Sequence, residues 1–263
     1  MKGAFSQKNI IVTGAASGIG KELVRLLYGQ KAHILAVDFS EEGLDELEME
    51  FPGIQILKVD LSQKEGNEKI LDWVRTHWVR VDVSIANAGK AEYGKAEQQN
   101  WREMDQLFQL NVFSPIQLGM ELRQQLKENF GRHVIVASAI SYWTVPGYSI
   151  YAASKSALLQ WARTIWKESG GDWLTLVFPI ATDTKFFDAA GKSIPKAFPL
   201  QKPQKAAEKI LKGIIQRKKR IFPSSLFPWM MNLDRFLFLI QPIYQALERK
   251  KLEKWVLNNP KNE

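Results

Sequence analysis

The sequence predicts an α/β fold: a doubly wound parallel sheet of about seven strands with helices on both faces. Short aliphatic runs alternate with amphipathic stretches along most of the 263 residues, and that alternation implies right-handed crossovers between parallel strands. The first aliphatic run also breaks at a glycine-rich turn and resumes as a helix, so a strand end and a helix start converge on one point. A chain of this length can bury one large core.

The elements follow in order. KNIIVTGAASGIG opens with a strand over 9–13, and an amphipathic helix follows the turn from about Ile19. Further strands fall near 33–37, 54–58, 81–86, 132–138, 173–178 and 219–222. Helices fall near 18–29, 41–50, 64–78, 100–128, 150–169 and 203–217. No internal repeat or low-complexity linker interrupts the series. The alternation occupies residues 1–222 as one domain and leaves 223–263 as an extension, not an independent domain.

Gly14, Gly18 and Gly20 stand in the spacing G-x-x-x-G-x-G between the first strand and helix. Glycine permits the tight turn and lets backbone N–H groups approach a pyrophosphate. The helix N-terminus adds a partial positive charge. Such a turn, between a strand and a helix, is placed to cradle a phosphate; the competing reading is a glycine-rich turn that holds no ligand. The second strand ends in Asp38, about twenty residues beyond, where a carboxylate accepts hydrogen bonds from an adenosine ribose. It repels a 2′-phosphate, and Phe39 and Ser40 follow rather than a basic residue. NAD(H) is therefore the expected cofactor and NADP(H) the second choice. The competing reading makes Asp38 a cap for the helix starting near Glu41.

The run SAISYWTVPGYSIYAASK holds Ser138, Tyr151 and Lys155. A tyrosine and a lysine four residues apart share one helix face. A phenol titrates near ~10 and carries protons poorly at neutral pH, but an adjacent ammonium favours the phenolate. Such a pair can trade a proton with an alcohol or a carbonyl. Ser138, closing the preceding strand, can hydrogen-bond the same oxygen.

Together these motifs resemble the short-chain dehydrogenase/reductase family over roughly residues 5–222. Thr13-Gly14-Ala15-Ala16-Ser17-Gly18-Ile19-Gly20 is similar to the family's cofactor turn. The resemblance implies that Asp60, with Leu61, holds the adenine ring, and that Asn87-Ala88-Gly89 supports the sheet beside the cofactor. Asn111, Ser138, Tyr151 and Lys155 match the catalytic set. Pro179 and Thr184, with Ile180 and Thr182 between them, match a motif after the sixth strand. By that likeness Tyr151 moves the hydroxyl proton and Lys155 lowers its pKa and bonds the nicotinamide ribose. Ser138 polarises the carbonyl. Asn111 breaks its helix locally and holds a water that links Lys155 to solvent.

Two positions depart from the family pattern. Ile180 replaces a glycine, which makes the nicotinamide end tighter and more apolar. Ala86 replaces the first asparagine of a common doublet. The family's substrate pocket maps onto Ile140, Trp143, Ile180, Phe186 and Phe187, a lining that suits a small apolar alcohol or ketone rather than a sugar. The alternatives are an NADPH-dependent 3-oxoacyl-thioester reductase and a non-catalytic dinucleotide-binding regulator.

Composition bounds the rest. The chain has no cysteine, hence no disulfide and no thiolate metal site. His33, His77 and His133 are scattered without metal-ligand spacing and read as structural. The first strand begins too early for a signal peptide to precede it, so a cytoplasmic protein is expected, peripheral at a membrane at most. The net charge of +8 carries no nucleic-acid-binding signature beside it. Much of the excess lies in residues 217–254, where Arg217-Lys218-Lys219-Arg220 and Arg249, Lys250, Lys251 and Lys254 flank an aromatic stretch interrupted by Pro223, Pro228 and Pro242. That segment fits a membrane-surface element, a lid or a subunit contact. A homodimer is expected over a tetramer, because the tail lacks the ending common in tetrameric members.

Overall fold

The computed structural model describes residues 3–126, 130–168, 170–184, 186, 194–195 and 197–259. Seven parallel strands form one sheet: β1 (Asn9–Thr13), β2 (His33–Asp38), β3 (Gln55–Lys58), β4 (Val81–Ala86), β5 (Phe130–Val136), β6 (Leu174–Val177) and β7 (Arg220–Ile221). Their order is β3-β2-β1-β4-β5-β6-β7. The chain starts in the middle and winds outward both ways, so the direction switches between β1 and β4. Ligands in such sheets bind outside the carboxyl ends of the strands at that switch.

The period-2 alternation of strand side chains builds the layers. Ile10 and Val12 of β1, with Ile34 and Ala36 of β2, pack on one face beneath α1 (Gly18–Tyr28), α2 (Glu41–Glu50) and α7 (Pro203–Ile215). Ile11, Leu35 and Val37 face the other side, under α3 (Gly66–His77) and α5 (Ser114–Leu126). Farther along that face, Ile135 and Leu176 meet Leu158 and Ala162 of α6 (Ser149–Ile165). Ala86 sits in this last cluster, where an apolar side chain fits as the first member of the departed asparagine doublet.

The helix expected over 100–128 is α4 (Trp101–Phe108) and α5 joined by a π-helical turn, Gln109–Phe113. The wide turn is centred on Asn111, the residue expected to interrupt the helix. β5 ends at Val136, two residues short of the expected end, because Ser138 leads into a short 3₁₀ turn and accepts the Ile140 N–H at 3.3 Å.

The histidines serve the fold. His133 is buried, donates from Nε2 to the Pro115 carbonyl at 2.8 Å, and is lowered by burial to about 4. His77 stacks on Trp73 at 4.3 Å, and His33 bonds Asn9 at 3.1 Å.

The extension folds as two further helices, α8 (Leu226–Leu237) and α9 (Ile240–Asn258). Pro228 and Pro242 do not interrupt it. Each lies in the first turn of its helix, where an N–H has no intrahelical acceptor to lose. The hairpin packs on the body through Phe227 against Trp143 at 5.2 Å and Trp255 against Tyr93 at 5.1 Å. The two basic flanks part company. Lys219 precedes β7 and pairs with Asp172 at 2.8 Å at the amino end of the sheet, whereas α8 follows that strand.

Candidate active site

The site begins with the turn after β1. Gly14 and Gly18 hold φ of 63° and 53°, a left-handed conformation that glycine adopts without steric cost. A Cβ on Gly14 would lie 2.9 Å from the Ala88 backbone. Thr13 is buried beneath the turn, its hydroxyl accepting from the Asn87 and Ala88 N–H groups at 3.1 Å each. Asn87 Nδ2 donates to the Thr13 and Gly14 carbonyls, also at 3.1 Å. Asn87 thus staples β4 to the turn. Gly20 lies inside α1, where a Cβ would reach 1.9 Å from the Gly14 carbonyl.

The start of α1 fits an anion. Ser17 makes no side-chain cap and the first turn carries no acid, so its leading N–H groups are left for a ligand, and Gly18 and Ile19 face the cavity. Asp38 is not the cap of α2; Ser40 is, accepting the Gly43 N–H at 3.1 Å. Asp38 instead accepts the Ala16 N–H at 3.0 Å and the Ser40 N–H at 3.1 Å, which holds its carboxylate at the cavity edge with lone pairs to spare. The donor set and the glycine cradle fit a dinucleotide. Asp60, beside Leu61 on the same wall, feels burial pushing its pKa up, but Ser62 and Gln63 donors outweigh it and the net direction is down.

α6 brings in the next pair. Tyr151 and Lys155 are both buried, with the lysine Nζ 5.8 Å from the tyrosine ring centre. Lys155 donates to the Val136 carbonyl at 3.0 Å. Burial dominates both groups: it raises Tyr151 to about 12, against a hydrogen bond from Ser138 that pulls down, and lowers Lys155 to about 8. Burial and the Ser138 hydrogen bond are thus what set the direction for the phenol, while the lysine that was expected to lower it is aimed at a strand carbonyl. Asn111 stands behind this pair. It bonds the Lys90 backbone twice, at 3.0 and 2.8 Å, and Ser154 Oγ at 3.2 Å. A Cβ on Gly89 would lie 3.1 Å from Asn111 Oδ1 and 3.5 Å from Lys155 Nζ, so an added methyl would press on the Asn111 amide.

These groups line one cavity of about 730 Å³. Of the expected cofactor residues, Gly14, Ser17, Gly18, Ile19, Asp38, Asp60, Leu61, Asn87, Ala88, Gly89, Pro179, Ile180, Thr182 and Thr184 reach it with Tyr151 and Lys155. Thr13, Ala16, Gly20 and Asn111 lie behind the wall and brace it. Ile140, Trp143, Ile180 and Phe186 line the far end; Phe187 lies outside the described residues. Sequence reasoning missed Tyr148, which packs 6.1 Å from Tyr151, and the extension's Leu226, Phe227, Met230 and Tyr244. Tyr148 stands three residues before Tyr151, a spacing that places it on the same face and was available to find it.

A family model described as short chain dehydrogenase matches residues 8–193. Among curated proteins the chain is 30% identical to the uncharacterized oxidoreductase YbbO of Escherichia coli K12, over 90% of this chain and 93% of that one. It is 28% identical to human epidermal retinol dehydrogenase 2, over 87% of this chain and 77% of that protein. A short-chain dehydrogenase/reductase from Burkholderia phymatum, solved with NAD, superposes with a TM-score of 0.74 at 19% identity, over 99% and 98% of the two chains. Motif, geometry and likeness agree: the chain belongs to the short-chain dehydrogenase family.

Proposed function

We propose that the protein is an NAD(H)-dependent oxidoreductase interconverting a small apolar secondary alcohol and its ketone, with Tyr151 as the proton donor and acceptor. One observation carries the reading: Ser138, Tyr151 and Lys155 sit on the wall of a single cavity whose near end is the glycine turn and whose far end is aromatic.

When bound, the nicotinamide supplies or accepts hydride. The chain does the remainder. The turn and the start of α1 would hold the cofactor's phosphates, and the Asp38 carboxylate would accept hydrogen bonds from the ribose hydroxyls. Tyr151, kept protonated far above neutral pH by burial, donates to a carbonyl oxygen that Ser138 also bonds. In the reverse direction the alcohol proton returns to the phenol oxygen. Lys155, with Nζ 5.8 Å from the Tyr151 ring centre, is placed for its ammonium to stabilise that phenolate. Asn111 ties the loop after β4, at Lys90, to Ser154 of α6 and keeps Gly89 beside the reacting groups.

Substrate class follows from the far end. Ile140, Trp143, Ile180 and Phe186 offer area and shape, and Ile180 adds a branched side chain where the family has glycine. We read the extension, over residues 223–259, as a wall of this cavity rather than a separate domain, since Phe227 and Tyr244 complete it.

The test is a panel of apolar secondary alcohols and ketones assayed with NAD(H) and NADP(H). Turnover with NAD(H) on apolar members is the expected result. Preference for NADPH and 3-oxoacyl thioesters would replace the substrate assignment. Cofactor binding without turnover anywhere on the panel would replace the enzyme with a regulator.

A further inference from the structure

The α8–α9 hairpin walls the cavity with one side and exposes the other. Its tip presents Phe236, Leu237, Phe238 and Leu239, from 49% to 81% exposed, where the chain reverses through a left-handed Phe238 at φ 54°. From there α9 carries an outward stripe, Ile243, Leu247, Lys250, Lys254 and Leu257, recurring at helical spacing and exposed throughout. Its inward side holds Tyr244, Glu248, Leu252 and Trp255 against the body. No part of the proposed chemistry uses the outward stripe.

Charge narrows what covers it. The hairpin and its lead-in, residues 223–259, hold five Lys and Arg against three Asp and Glu. The three acids are committed: Asp234 accepts the Ile240 and Gln241 N–H groups at 2.8 and 3.1 Å, Glu248 is buried on Lys251 at 2.6 Å, and Glu253 pairs with Arg249 at 2.9 Å. Among the described residues Lys250 and Lys254 enter no ion pair. A second copy of the stripe would bring two more ammonium groups and no carboxylate. An anionic headgroup layer supplies the missing charge and, beneath it, an apolar layer for the tip.

We propose that this face docks on an anionic lipid surface, with the Phe236–Leu239 tip in the acyl boundary and Lys250 and Lys254 on headgroup phosphates. It is a peripheral contact. Among the described residues no helix is long and apolar enough to cross a membrane. Because Leu226, Phe227 and Met230 of the same hairpin line the cavity, docking brings its mouth to the lipid. That consequence rests on the apolar-substrate reading, whereas the docking itself does not.

The test is vesicle flotation of the full chain on phosphatidylcholine alone and with about a third phosphatidylserine. The protein should float with the anionic vesicles, and several-fold less as salt rises from about 0.1 to 0.5 M. Phe236→Asp with Phe238→Asp should lower partitioning at least ~10-fold, and Lys250→Gln with Lys254→Gln about tenfold on anionic vesicles. All four positions are exposed, so thermal midpoint and turnover of a water-soluble alcohol should not change. Absence of wild-type flotation overturns the proposal, as does equal flotation of both double variants. A dimer that the Phe variants dissociate, with no vesicle binding, overturns it in favour of a second copy.

Discussion

The two ends of the cavity are built by opposite means. At the glycine turn, position is set by directional bonds: Asn87 to two carbonyls, Thr13 to two amides, Asp38 to two more. At the far end it is set by rings in contact, Trp143 on Phe227, Tyr148 on Tyr151, and Tyr151 on Phe186 at 5.9 Å. Hydrogen bonds demand a particular donor or acceptor at a set distance and direction, whereas packed rings tolerate exchanges that keep volume. The first end is therefore suited to one invariant ligand, and the second can change substrate without losing the fold. Tyr151 stands where the two meet.

The largest effect tests that meeting point. Tyr151→Phe keeps the ring contacts and removes only the hydroxyl, so it separates the proton from the packing. Turnover should fall about 10²- to 10⁴-fold, with cofactor affinity unchanged by fluorescence titration. Substantial turnover by this variant would remove Tyr151 from its role.

The next effect tests the aromatic end. Phe227 is buried among Tyr142, Trp143 and Phe222, at ring distances of 6.3, 5.2 and 6.3 Å. Phe227→Ala should cost ~3–5 kcal/mol of stability and raise KM for an apolar ketone, while Phe227→Leu recovers most of both. Denaturant midpoints and substrate titrations of the two variants measure this. If cofactor affinity fell as steeply as substrate affinity, the two ends would not be separable as described.

The same contrast explains what the sequence made legible. The polar end is local: Gly14, Gly18 and Gly20 need one turn, and Asp38 needs only to end the next strand. At Asn111 the family resemblance implied a local break in the helix, and the π-helical turn Gln109–Phe113 is the form that break takes. The aromatic end is assembled from distant segments. α8 and α9 hid behind Pro228 and Pro242, which read as breaks until each fell in a first helical turn. α9 also divides its apolar residues between two sides, Leu252 and Trp255 inward and Ile243 and Leu247 outward, so no single stripe announces a core-facing helix. The outcome for Tyr151 and Lys155 depended on burial, which spacing along a helix does not report.

The smallest effect sharpens the polar end. Asp38 uses one carboxylate oxygen on Ala16 and the other on Ser40, so its charge and its two bonds act together. Asp38→Asn removes the charge and keeps one oxygen acceptor, while its NH₂ group cannot accept. If the charge selects the cofactor, NADP(H) affinity should rise relative to NAD(H) by about tenfold, or ~1.4 kcal/mol. If the bonds matter more, both affinities should fall together, because the Ala16 or the Ser40 amide loses its acceptor and the turn shifts. Phe39, 75% exposed beside the carboxylate, supplies no positive charge to take over the 2′-phosphate. The gain should therefore stay near tenfold unless a basic residue is added, and Asp38→Asn with Phe39→Arg should exceed it. A ratio unmoved by either change would mean that cofactor choice is made elsewhere on the wall.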